Sequence, residues 1–178
     1  MDLMFAISSL YSANFQIMKQ TINEIIERLS MNQTSYSVLV FGASTYKRLD
    51  FGTSFSDKQT LKDFIMALSN TPGKPALAKA LDEATRTFDG SSRGSGVANV
   101  LVVIMDSNSS VPEAVLRTKT EQLQGRKVKV VSVALGNRAS PAQLGAIVKH
   151  KDNLVVIRGM EHPASMASDI INAILRSK

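Results

Sequence analysis

Asp106 is the side chain best placed to do chemistry. It ends the apolar run Ala98-Asn-Val-Leu-Val-Val-Ile-Met, and Ser107-Asn-Ser-Ser-Val-Pro-Glu113 follows. A run with so little polar alternation suits a strand covered on both faces in the middle of a parallel sheet. Ligands of such sheets collect beyond the carboxyl ends of the strands. A carboxylate there offers oxygens to a hard cation, or to the N–H groups of a turn or helix start.

Other chemistry is sparse. There is no cysteine, which excludes disulfides, thiolate metal sites and thiol nucleophiles. His150 and His162 are the two histidines; they read as surface or cap residues and do not form a metal pair at i, i+4 spacing. Asp50-Phe-Gly52 copies a kinase triplet without the glycine-rich loop, strand lysine or catalytic loop that would give it meaning. Gly73-Lys74 lacks the earlier glycine of a phosphate loop. Gly94-Ser-Gly96 precedes a strand instead of joining a strand to a helix. No Gly-x-Ser-x-Gly elbow occurs. The expectation is a non-enzymatic chain without a cofactor.

With 178 residues, 44% apolar and 20% charged, the chain reads as one domain spanning 1–178 with a full core. No segment approaches the ~20 apolar residues of a membrane span, so no membrane insertion is expected. The opening Asp2–Ile7 is too short for a signal peptide and lacks its basic flank. The unit reads as one excised from a longer multidomain chain. The net charge of +6 favours acidic partners, of which a heparin-like polysaccharide is one. The dispersed basic residues and few aromatics point away from nucleic acid. Lys74, Arg93, Lys127 and Lys129 are the basic contact candidates. Two glycosylation triplets begin at Asn32 and Asn108.

The elements follow from periodicity. Strands are expected at Asp2–Ile7, Tyr36–Gly42, Thr45–Phe51, up to Asp106, Lys127–Leu135 and Asn153–Ile157. Helices are expected from Asn14 (as cap), from a capping box at Ser56–Gln59, over Ala76–Phe88, from a second box at Ser110–Glu113, from a third at Ser140–Gln143 to near His150, and from Pro163 to Arg176. The order β-α-β-β-α-α-β-α-β-α-β-α predicts an α/β, doubly wound, Rossmann-like sheet. It is mostly parallel, with one antiparallel edge strand from the early hairpin and helices on both faces.

This order resembles a von Willebrand factor type A domain over essentially the whole chain. Asp2-Leu-Met-Phe-Ala-Ile resembles the family's first strand, Asn14-Phe-Gln-Ile-Met-Lys the opening of its first helix, Val102-Val-Ile-Met-Asp its fourth strand, and Val130-Val-Ser-Val-Ala-Leu-Gly136 its fifth. Locally the likeness is to the extracellular-matrix branch, as in collagen VI and the matrilins. The resemblance implies a Mg²⁺ or Mn²⁺ adhesion site built from Asp-x-Ser-x-Ser, a threonine and an aspartate on three loops. Here the first loop is about three residues short and lacks its aspartate, Pro75 stands at the threonine, and Ser107 replaces a preferred glycine. Ser8, Ser9 and Asp106 are the remnant of a degenerate site with no metal. Lys74, Pro75, Asp106, Ser107 and Asn108 become the ligand-contact candidates.

The resemblance thus implies a secreted matrix glycoprotein module that binds other matrix proteins or neighbouring domains of its own kind without a metal. A polysaccharide-binding module and an intracellular scaffold are the alternatives.

Overall fold

In the computed structural model, which describes residues 1–91, 93, 94, 96–159 and 162–176, each expected element is present. In chain order they are β1 (Asp2–Ser8), α1 (Ser12–Arg28), β2 (Ser35–Phe41), β3 (Thr45–Leu49), α2 (Lys58–Met66), α3 (Leu77–Asp89), β4 (Asn99–Met105), α4 (Glu113–Gly125), β5 (Val128–Leu135), α5 (Pro141–Gly145), β6 (Leu154–Ile157) and α6 (Pro163–Leu175). The sheet order is β3-β2-β1-β4-β5-β6. All neighbours are parallel except β2 and β3, whose antiparallel hairpin places β3 at one edge.

The unbroken apolar strands are explained by two separate cores. Leu3, Phe5 and Ile7 of β1, with Val100, Val102 and Ile104 of β4, pack against the inward residues of α1, α2 and α6. Met4 and Ala6, with Leu101, Val103 and Met105, face α3, α4 and α5. Successive strand side chains point to opposite faces, so a strand between two helical layers must be apolar at every position. The helices cover the sheet with single stripes instead. On α1 the buried set includes Phe15, Met18, Ile22, Ile25 and Ile26, the three-to-four spacing of an amphipathic helix.

Several helix starts differ from the sequence reading. Helix α1 begins at Ser12, and Tyr11 holds the cap position without a side-chain bond; Asn14 lies inside the first turn and is not the cap. Helix α2 is capped by Asp57, whose carboxylate accepts from the Thr60 backbone N–H at 2.8 Å. Ser56 instead sits 3.2 Å from the Thr60 hydroxyl. Helix α4 has no side-chain cap. Pro112, with its own extended ψ of 144°, occupies the cap position, which leaves Ser110 two residues too early, and Glu113 pairs forward with Arg117. Only the third box forms, and only by half: Ser140 Oγ accepts from Gln143 N–H at 3.2 Å, while the Gln143 side chain goes elsewhere. Helix α5 also stops at Gly145, well short of His150.

Candidate functional site at the carboxyl edge of the sheet

The parallel strands β1, β2, β4, β5 and β6 deliver their following loops to one edge, and Asp106 stands there at the end of β4. It is 1% exposed. Its carboxylate is filled by the first loop and the first helix. The Ser9 hydroxyl lies 2.6 Å from Oδ2, the Leu10 backbone N–H donates to Oδ1 at 2.9 Å, and the Asn14 side-chain amide donates to Oδ2 at 3.1 Å. Ser9 Oγ is also 2.7 Å from the Tyr11 carbonyl, but its single proton serves the carboxylate, the stronger acceptor. In return it accepts the Tyr11 N–H at 3.1 Å.

The second loop is fixed by close backbone contact. Ala43 N–H donates to the Pro72 carbonyl, and Ala76 N–H to that of Gly42, at 3.2 and 2.7 Å. A Cβ on Gly42 would lie 2.3 Å from the Pro72 oxygen, so only glycine permits this approach. Gly73 takes the left-handed φ of 96° that L side chains rarely adopt. Asn70 joins this loop to the first one by donating from its amide to the Ser9 carbonyl at 2.9 Å, and its own oxygen accepts the Thr71 N–H.

The third loop is tied to α5. The Gln143 side chain accepts from Ser109 N–H at 2.8 Å and donates to the Ser109 carbonyl at 2.6 Å. Asn108 Oδ1 accepts the Ser140 N–H at 2.6 Å. That N–H is the one a complete capping box would have given to Gln143. Arg138, after β5, closes the rim by donating to the Tyr11 hydroxyl and lying 5.2 Å from its ring centre.

Ser9 and Asp106 are therefore brought together, while Ser8 is buried at the end of β1 in register with Met105, and Ser107 is buried after Asp106. Pro75 is buried as well and presents no surface to a partner, because the second loop folds onto β2; Lys74 and Asn108 are exposed. Arg93, Lys127 and Lys129 belong to the opposite end of the sheet. Sequence reasoning missed Asn14 and Asn70 as site residues. A signal for Asn14 existed: it lies four residues before Met18 and eight before Ile22, in line with the buried stripe of α1.

A hard divalent cation requires several oxygens in near-octahedral array. Three of the roughly four lone-pair sites on Asp106, the one carboxylate among the described residues of this cluster, are taken, and by groups whose positive ends would face the ion. The buried Thr71 and Ser107 hydroxyls have no partner within the described structure, but they add no charge. Among the described residues no three His, Cys, Asp or Glu side chains gather in one place. The residues present do not fit the metal that the resemblance implies. The described helices also include none long and apolar enough to cross a membrane.

Comparison with known proteins places this geometry. A sequence model of the von Willebrand factor type A domain matches residues 2–165. Proximal thread matrix protein 1 from the mussel byssus, solved with a zinc-occupied metal-ion-dependent adhesion motif, superposes with a TM-score of 0.81 at 17% identity. The match covers 97% of this chain and 45% of that one, so the chain spans less than half the length of the byssus protein. BatB from Bacteroides thetaiotaomicron matches with a TM-score of 0.72 at 14% identity, over 98% of this chain and 99% of its own. Manganese-loaded TRAP protein of Plasmodium vivax matches with a TM-score of 0.77 at 13% identity, over 97% and 72%.

Proposed function

The chain belongs to the von Willebrand factor type A family, generally non-enzymatic modules of protein interaction and adhesion, and we propose that it is a metal-independent member serving as an assembly module of an extracellular matrix. The observation that carries the reading is the filled Asp106 carboxylate. Relatives of this fold from the mussel byssus and from Plasmodium vivax were solved with zinc and manganese. Here Ser9, Leu10 N–H and Asn14 take the oxygens that a cation would need.

A partner then meets a surface set by shape and fixed polar groups, not one open to an incoming carboxylate ligand. The exposed groups at this edge include Leu10, Lys74, Asn108 and Arg138, which lies against the half-buried Tyr11, with Leu10 43% exposed. Partners in this reading are other matrix proteins or sibling domains within a longer chain. The byssus relative, itself a matrix protein, supports the placement by analogy. Asn32, exposed in the turn after α1, is the favoured glycan carrier, since a glycan on Asn108 would cover the docking edge.

The test is thermal unfolding in Mg²⁺, Mn²⁺ and EDTA with a parallel Mn²⁺ titration. A cation binding only the folded state must raise the midpoint. The expected result is one midpoint in all three and no heat. A midpoint raised by Mn²⁺, and lost in Asp106→Ala, would overturn the reading.

A further inference from the structure

A second site lies at the other end of the sheet. A pocket of about 480 Å³ opens between the end of α4, the start of β5, the segment after α5 and the end of α6. That volume is within the range of small-ligand sites. Lys127, Lys129, Lys149 and Arg176 line it, with Gln124 and Asn153. No aspartate or glutamate is among the lining residues, and among the described residues Lys127 and Lys149 have no carboxylate partner. Four cations gathered from separate segments repel one another unless an anion joins them.

Two details set this apart from an ordinary basic surface. Lys129 is held in place, donating from Nζ to the carbonyls of Ile174 and Arg176 at 3.2 and 2.6 Å. Its pKa is lowered, first by burial and then by the charge of Arg176. Lys127 holds φ at 60°, in the left-handed region that glycine usually fills after a helix. A cationic side chain stands there despite the backbone preference.

Asn153, 2% exposed, completes the pocket wall. No Phe, Tyr or Trp lines the pocket, and His150 is the one ring on it, which leaves little of the stacking surface that single-stranded nucleic acid uses.

We propose that this pocket binds a sulfated polysaccharide, its sulfates facing Lys127, Lys149 and Arg176. The site is distinct from the Asp106 edge and does not depend on how that edge binds protein.

The probe is a heparin-derived octasaccharide, titrated calorimetrically at two salt concentrations. The test variant is Lys127→Gly with Lys149→Gln. Glycine suits the backbone at 127 and residue 149 is exposed, so the fold is retained, and circular dichroism checks this. The charge-matched control is Lys79→Gln with Arg48→Gln, both exposed and elsewhere. Affinity is expected to fall at least tenfold in the test variant and less than twofold in the control. Equal losses in the two variants would reduce the effect to net charge and overturn the site. So would absence of binding, or equal affinity for unsulfated hyaluronan or for duplex DNA of matched length.

Discussion

Two buried aspartates stand at opposite ends of neighbouring strands, and they are stabilised differently. Asp2 begins β1 and Asp106 follows β4; each is 1% exposed. Asp2 has a cation: Arg93 reaches Oδ1 at 2.7 Å and the Ser91 hydroxyl reaches Oδ2 at 2.6 Å. Asp106 has only neutral donors, from Ser9, Leu10 and Asn14. The aspartate with only neutral donors is the one at which the family resemblance implies a metal. A buried carboxylate must be compensated, and three well-placed dipoles do for Asp106 what one guanidinium does for Asp2. Neutral compensation leaves Asp106 itself without a cation beside it; the exposed positive charges at this edge, Lys74 and Arg138, stand on other loops.

The largest expected effect comes from Asp106→Ala. It strands the Ser9 hydroxyl, the Leu10 N–H and the Asn14 amide together, and should cost about 2–3 kcal/mol. Urea unfolding would read it as a lower midpoint at unchanged slope. A near-neutral result would mean water replaces the carboxylate at no cost, and the contrast with Asp2 would lose its energetic basis.

Arg93→Ala comes next, at about 1–2 kcal/mol. Removing one partner leaves a buried charge, but Arg93 is 39% exposed and its attraction is partly screened. The comparison sharpens with salt. Raising NaCl to 1 M should narrow the gap between the wild type and Arg93→Ala, because screening weakens the ion pair. The gap for Asp106→Ala should hold. Equal salt sensitivity at both sites would break the distinction.

The smallest effect belongs to Asn14→Ala, about 0.5–1 kcal/mol for one hydrogen bond of three at a half-buried position. Its diagnostic value exceeds its size. This substitution frees a lone pair of Asp106, so a gain of Mn²⁺-induced stabilisation in Asn14→Ala alone would identify the amide as the group that excludes the ion.

The candidate site was legible in one half. Asp106 could be singled out because the apolar run Ala98–Met105 ends on it, and the short first loop already argued against a metal ligand set. Its partners could not be found the same way. Ser9 and Asn14 lie 97 and 92 residues from Asp106, and Asn14 satisfied a local rule for a helix cap that the folded chain did not use. The Ser110–Glu113 box failed for a similar reason: the pattern was present, but Pro112 took the cap position.

The sequence by itself determined the architecture. Strands apolar at every position require a layer on both faces, helices with one apolar stripe supply those layers, and a three-residue gap between β2 and β3 forces an antiparallel edge. These are local periodicities, fixed by the geometry of strand and helix. Tertiary structure alone decided what each charge meets. It brought Asn14 to Asp106, Arg93 to Asp2, and Lys127, Lys129, Lys149 and Arg176 around one pocket. Electrostatic compensation depends on distances through space, and only packing the two helical layers onto the sheet sets those distances.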